Sequence, residues 1–334
     1  MRRTVVVTGA SGFIGKHIVK ELLDHGDAVR GSVRSDAKAD ETRAAVGPDG
    51  LDRLSFVQLD LTSDDGWDDA LAGADALLHT ASPFPLGEPN DPEEIIRPAV
   101  DGTLRAMRAA HAAGVDRVVV TSSCVAIYGD RLRPGQTVLD ETNWSPTGGP
   151  ETGAYDDSKT LAERAAWDFV RDEAPEIVLS TVNPGVVLGV PLDEAYGTSL
   201  SLVERVYSGA DPMLPDVSFP VVDVEDVAAM HRRVLEVDAA GGQRFPAAAG
   251  ALTMIEMAEI LNAEVSGSAA KARKAPSFLV RLMARFNADM RSIAPRLGRS
   301  GLVSGANAAR LLGTEFVPAH EALLKSARFI AAQG

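Results

Sequence analysis

Thr8-Gly9-Ala10-Ser11-Gly12-Phe13-Ile14-Gly15 stands directly after the apolar run Val5-Val6-Val7. The run suits a buried strand, and Phe13 to Leu23 carries apolar residues at helical spacing. The stretch between them is therefore a turn from strand to helix. Its glycines fall at positions 9, 12 and 15. The first permits a tight turn, the second lets backbone N–H groups approach a pyrophosphate, and the third lets the helix pack close to the sheet. The helix N-terminus adds partial positive charge on the same side. The context of the glycines, after a strand and before a helix, predicts a dinucleotide site built from Thr8, Gly9, Ser11, Gly12, Phe13, Ile14 and Gly15.

Outward from this turn the same alternation continues. Strands are predicted over Ala28 to Val33, Ser55 to Leu59, Ala76 to His79, Arg117 to Thr121 and Ile177 to Val182. Helices are predicted over Glu93 to Ala113 and Tyr155 to Arg171. Strands rich in Val and Leu with helices between them imply a parallel sheet covered on both faces. The fold class is α/β, a doubly wound parallel sheet of the Rossmann kind. After Pro184 the rhythm breaks, and Pro and Gly become frequent up to Pro220. A short strand, Phe219 to Val222, and a helix, Asp223 to Val237, are expected to return to the sheet. From Thr253 onward the pattern reads as helices and loops. The expected division is a dinucleotide-binding domain of residues 1–182 plus 217–250. Residues 183–216 plus 251–334 would form a smaller, mostly helical substrate-binding lobe.

The bulk composition narrows the partners. The chain has 334 residues, 45% of them apolar, which is enough for a large core. A net charge of -14 repels nucleic acid phosphates and acidic lipid surfaces. One cysteine, Cys124, precludes an intramolecular disulfide and fits a reducing cytoplasm. No apolar stretch is long enough to span a membrane, and the histidines show no metal-ligand spacing. The expectation is a cytoplasmic protein, monomer or homodimer, that acts on a small molecule without metal, nucleic acid or membrane.

Cofactor choice is read at the end of the second strand. Enzymes selecting NAD usually carry an acidic residue there, on the ribose hydroxyls. Here the stretch is Arg30-Gly31-Ser32-Val33-Arg34-Ser35. Arg34 can pair with a 2′-phosphate and stack on adenine, so NADP(H) is expected. Asp60, followed by Leu61, comes after the third strand. Its carboxylate can accept from the adenine amino group or cap a helix beginning near Ser63.

Tyr155-Asp156-Asp157-Ser158-Lys159 opens a helix, and residues four apart share a face. The Tyr155 hydroxyl and the Lys159 ammonium can then meet. A neighbouring cation lowers the pKa of a tyrosine, which equips it to protonate a developing alkoxide. Thr121-Ser122-Ser123 ends the fifth strand, where ligands of such sheets bind. Ser123 is the expected holder of the carbonyl oxygen, since alternation turns Ser122 the other way. His79 is expected to be packed and hydrogen-bonded, and Cys124 to be a small packing residue.

With these motifs the chain resembles the extended short-chain dehydrogenase/reductase family. The glycine loop, His79-Thr80-Ala81-Ser82-Pro83, the Thr-Ser-Ser strand end, Tyr155 with Lys159, Asn183-Pro184-Gly185-Val186-Val187-Leu188-Gly189 and Val222 to Ala228 all carry the resemblance. It is nearest the dihydroflavonol reductase, cinnamoyl-CoA reductase and aldehyde reductase branch. The resemblance implies Ser123, Tyr155 and Lys159 as the catalytic set. It implies Thr80 and Ala81 along the cofactor, with Pro184 and Val187 against the nicotinamide. Expected substrate walls are Pro83, Phe84, Pro85, Tyr128 and Val221. They contain no arginine, which suits a neutral aromatic or medium-chain aldehyde or ketone reduced to an alcohol. Two alternatives share the fold. A sugar-nucleotide epimerase or dehydratase with tightly bound NAD is disfavoured by the missing acidic residue near Arg34. A non-enzymatic nucleotide-sensing regulator has no need of the Tyr155/Lys159 pair. The basic segment Lys271 to Arg299 reads first as a surface helix, and second as a lid or a docking surface for an acidic partner.

Overall fold

A computed structural model describes residues 2–82, 89, 91–149 and 152–333. The expected wall residues Pro83, Phe84 and Pro85 lie outside the described residues. The chain runs β1 (Thr4–Thr8), α1 (Phe13–Asp24), β2 (Ala28–Val33), α2 (Asp36–Val46), β3 (Leu54–Gln58), α3 (Trp67–Leu71), β4 (Ala76–His79), α4 (Glu93–Ala112) and β5 (Arg117–Thr121). It continues through α5 (Val125–Tyr128), α6 (Ala154–Asp172), β6 (Val178–Pro184), β7 (Val186–Leu188), α7 (Gly197–Tyr207), β8 (Ser218–Asp223), α8 (Val224–Glu236) and β9 (Arg244–Ala247). The remainder is β10 (Gly250–Thr253), α9 (Met254–Glu264), α10 (Ser277–Met283), α11 (Ala288–Ile293), α12 (Ala306–Leu312) and α13 (Ala319–Gln333).

Seven parallel strands form the main sheet in the order β3-β2-β1-β4-β5-β6-β9. Strand alternation divides its side chains between two cores. Val5 and Val7 of β1 join Leu78, Val119 and Val182 under α1, α8 and α12, with Leu22, Val227 and Leu312 packed against them. Val6 joins Leu77, Val118, Val120 and Leu179 under α3, α4 and α6, with Trp67, Met107 and Phe169. The order of strands reverses between β1 and β4, so the crevice at their carboxyl ends is the natural ligand site.

One expected element goes elsewhere. The strand around Phe219 to Val222 does not return to the main sheet. β8 lies between β7 (parallel) and β10 (antiparallel) in a separate three-stranded sheet, and β9 takes the free edge beside β6. The cause is the break at Pro184-Gly185, after which β7 leaves the plane of the sheet and becomes the template for β8. Gly185 permits the crossing: a Cβ there would lie 2.3 Å from the carbonyl oxygen of Pro220. Phe219 and Val221 then pack in a third core with Leu188, Val203, Met257, Leu261 and Leu323. This lobe core sits beyond the carboxyl ends of β5 and β6.

Candidate active site

The glycine turn has the shape its spacing predicts. Gly9 has φ 68°, where a side chain is strained, and a Cβ there would lie 2.9 Å from the Cα of Ala81. A Cβ on Gly15 would lie 2.1 Å from the carbonyl oxygen of Gly9. The loop is thus closed by main-chain contact, with Gly12 N–H donating to the Gly9 carbonyl at 3.0 Å. Gly12 is the N-cap of α1, which has no side-chain cap and no acidic residue in its first turn. Its leading N–H groups keep their capacity for an anion. Thr8 ties the loop to the next strand end: its hydroxyl accepts from the N–H groups of Thr80 and Ala81, each at 3.1 Å, and contacts Nδ1 of His79 at 2.9 Å. Burial holds His79 neutral, pushing its pKa down to about 3. Ser11, Phe13 and Ile14 are half-buried along the same rim. The cradle left open by glycine and the uncapped helix end fit a dinucleotide pyrophosphate.

Arg34 follows the end of β2 and is exposed, free to meet a phosphate on the adenosine side. Asp60 is also exposed, and its carboxylate accepts from the N–H and hydroxyl of Thr62, each at 2.7 Å. That is an Asx turn, which pulls the carboxyl below its usual range. No helix starts at Ser63, because the next one, α3, begins at Trp67. Leu61 packs over Gly102, whose added Cβ would lie 3.2 Å from it.

Ser122 and Ser123 face opposite ways. Ser122 donates to Glu163 at 2.6 Å, beneath α6. Ser123 opens onto a cavity of about 470 Å³, within the usual size of a ligand pocket. Tyr155 lines the same cavity and hydrogen-bonds Ser123. Tyr128 and Arg296 line it too, as do Leu202, Pro215, Phe219, Pro220, Met254 and Met290. Val221 does not: as the middle of a three-strand sheet it is fully buried in the lobe core, and its neighbours Phe219 and Pro220 supply that wall. The carbonyl oxygen of Pro184 accepts from the N–H of Cys124 at 2.8 Å, and Val187 is buried at the start of the lobe.

Two features depart from the spacing argument. Lys159 lines a small adjoining pocket with His79, Ala81, Ser82, Ser122 and Glu163. Burial lowers its pKa to about 8, against the pull of Glu163. Burial pushes Tyr155 up to about 12, and the cation that opposes this is Arg296. Glu163, one turn further along α6, acts on the Lys159 charge, and that charge in turn acts on His79. The expected wall positions hold no arginine, but the cavity has further walls that do. Arg296 and Arg205 both line the cavity. Each is paired, Arg296 with Asp156 and Arg205 with Asp211 at 2.6 and 2.9 Å. The basic segment supplies Met290, Ser292, Ile293 and Arg296 to the cavity, so it forms a wall of the site.

Sequence reasoning also missed the buried pair Glu163–Arg244, at 2.6 Å. Glu163 accepts from Ser122, from Asn183 at 2.7 Å and from Thr181 at 3.1 Å, joining β5, β6, β9 and α6 behind Lys159. The available signal was a glutamate four residues after Lys159 on the face turned to the sheet.

Comparison with known proteins agrees with this geometry. A family model for the NAD dependent epimerase/dehydratase family matches residues 5–247. Cinnamoyl-CoA reductase 1 of Arabidopsis thaliana is 36% identical over 261 residues, 78% of this chain and 74% of that protein. A putative NADPH-dependent methylglyoxal reductase of Candida albicans is 35% identical over 263 residues, 72% and 77% of the two chains. Among solved structures, yeast methylglyoxal/isovaleraldehyde reductase Gre2 complexed with NADPH superposes with TM-score 0.78 at 26% identity, covering 99% of each chain. Gre2 of Candida albicans with NADPH gives 0.80 at 28%, again over 99% of each.

Proposed function

The chain belongs to the NAD dependent epimerase/dehydratase family, and on that premise we propose that it reduces an aldehyde or ketone to an alcohol with NADPH. The observation that carries this reading is the hydrogen-bonded pair Ser123–Tyr155 on the wall of a mainly apolar cavity. The glycine loop and Arg34 would hold NADPH, which when bound would supply the hydride. Ser123 and Tyr155 hold the carbonyl oxygen, and Tyr155 donates its proton as negative charge develops there. Lys159 serves the ribose side. Thr80, Ala81, Pro184 and Val187 follow the cofactor toward the cavity. The substrate lobe comprises residues 183–216 and 251–334, with β8 added to it and α12 excepted, since Ala308 and Leu312 pack in the main-sheet core.

The walls favour a neutral substrate. Both cavity arginines are already engaged by aspartates, which leaves neither free to clamp a substrate carboxylate, and Phe219, Met254, Met290 and Leu202 suit a ring or an alkyl chain. Among the described residues no helix is long and apolar enough to cross a membrane, in keeping with a cytoplasmic enzyme on a small substrate. The test is NADPH consumption with benzaldehyde, phenylacetaldehyde, a keto acid and a sugar nucleotide, in wild type and Tyr155→Phe. Wild type should prefer the neutral aromatics, and the variant should lose at least about 10²-fold in kcat, the usual scale for a lost general acid. An active Tyr155→Phe protein, or stoichiometric NAD retained through purification, overturns the reading.

A further inference from the structure

Arg296 ends the 3-10 turn Ala294–Arg296, in the lobe. Its guanidinium nevertheless reaches α6, where Nη2 donates to Oδ1 of Asp156, the residue next to Tyr155. Both side chains are largely buried, at 18% and 13% exposure. The same guanidinium lines the cavity with Tyr128 and Tyr155, and its Nε has no hydrogen-bond partner. A buried donor left unsatisfied weakens a fold. Stability alone therefore gives no reason for an arginine here, where a leucine would fill the wall.

We propose that Arg296 is a positioning residue for proton transfer, fixing the start of α6 through Asp156 and supplying the positive charge that offsets the tyrosine anion. The proposal rests on the reductase reading above. In that reaction the carbonyl carbon gains a hydride from NADPH, which leaves as NADP⁺. The carbonyl oxygen takes the proton of Tyr155, whose O–H bond breaks, and the resulting phenolate recovers a proton from solvent. The phenolate is the charge that the cavity must accommodate. The groups facing it are Ser123 after β5, Tyr128 on α5, Asp156 on α6 itself and Arg296 from the lobe, with Lys159 one turn away. Ser123 and Arg296 favour the anion, while burial and Asp156 oppose it. Arg296 acts on Tyr128 in the same direction. An electrostatic contribution of this kind is worth most in a site closed to water.

The chain has only four tyrosines, so a titration of tyrosinate absorbance is tractable. The difference between a protein and its Tyr155→Phe counterpart isolates Tyr155. The titration is run with and without NADP⁺ on wild type, Arg296→Gln and Arg296→Lys. Gln keeps a donor for Asp156 and removes the charge; Lys restores the charge. Arg296→Gln should raise the midpoint by about one pH unit or more, as loss of a close opposite charge does, and Arg296→Lys should recover most of it. The alkaline inflection in kcat for alcohol oxidation should move with it, while KM for NADP⁺ stays unchanged. A merely structural arginine would lower thermal stability and leave both midpoints in place, which overturns the proposal. A wild type that reduces no carbonyl would sink the reductase reading instead, and the absorbance titration would still decide the role of Arg296. If Arg296→Gln does not fold, the midpoint of Arg296→Lys must still lie within a few tenths of wild type; a larger displacement counts against the charge.

Discussion

Arg244→Met should be among the most damaging substitutions away from the cavity. Arg244 donates through Nε to Oε1 of Glu163 at 2.6 Å and through Nη2 to Oε2 at 3.3 Å. Its Nη1 donates to the carbonyls of Asn143 at 2.6 Å and Glu141 at 2.8 Å, and its guanidinium lies 3.7 Å from the centre of the Trp144 ring. The side chains of Arg244 and Glu163 are 8% and 0% exposed, so solvent screens little of the interaction. Methionine keeps the length and apolar stem but strands the Glu163 carboxylate without the cation that hydrogen-bonds both of its oxygens. Removing one partner of a buried pair costs about 3–5 kcal/mol, a large share of the roughly 5–15 kcal/mol that holds a domain folded. At about 2–4 °C per kcal/mol for large domains, Tm should fall by about 6–20 °C. Adding Glu163→Gln removes the orphaned charge and should restore much of the loss. Circular dichroism melts and urea midpoints of the two singles and the double measure this cycle. A single variant losing less than about 1 kcal/mol, or a double as unstable as the sum of the singles, refutes the argument.

Three further outcomes are expected. Arg34→Ala should erase most of the preference for NADPH over NADH, about tenfold to a hundredfold if one charge-assisted pair of about 1.5–3 kcal/mol is lost; competitive binding of the two cofactors measures it, and equal affinity in wild type contradicts it. Acid should destabilise the protein before most of its carboxylates are protonated, with Asp226, raised to about 6 by burial, offsetting part of the loss. Burial lowers His17 and His231 to about 4 and His79 to about 3. Between about pH 6.5 and 4 the unfolded chain therefore binds more protons than the folded one, and stability falls as pH falls, by up to about 3 kcal/mol per histidine. A Tm that stays flat over that window would contradict this. Lastly, Glu163→Gln should push the Lys159 pKa, already about 8, lower still, so NADPH affinity should begin to fall at a lower pH than in wild type, as read by fluorescence titration.

What the sequence made legible is what depends on local spacing. The glycines at 9, 12 and 15 need only neighbours within one turn, and alternation in Val5-Val6-Val7 already divides the two faces of the sheet. Ser122 and Ser123 part company by the same rule. The illegible features depend on distant segments meeting. β8 looked like a main-sheet strand because its apolar run is ordinary; its departure is decided by Gly185 lying against Pro220. Arg296 is 141 positions from Tyr155 in the chain, and no periodicity links a 3-10 turn in the lobe to α6. Glu163, four residues further along the same helix, acts on Lys159 as well, and helical spacing from Tyr155 alone does not reveal it. Val221 is no wall, because both edges of β8 are covered and its side chain is buried in the lobe core.

Cys124 gives the molecule a built-in stopwatch. It is the only cysteine, 1% exposed, and its thiol donates to the carbonyl of Asn183 at 3.0 Å. Burial pushes that thiol far above its usual range, so the folded chain presents no thiolate to an alkylating reagent or an oxidant. Modification must wait until β5 and β6 part at the point where Ser123 leaves the sheet. With reagent in such excess that labelling outpaces reclosing, each labelled molecule records one such opening, and the labelling rate becomes a clock for how often the heart of the reaction centre comes apart.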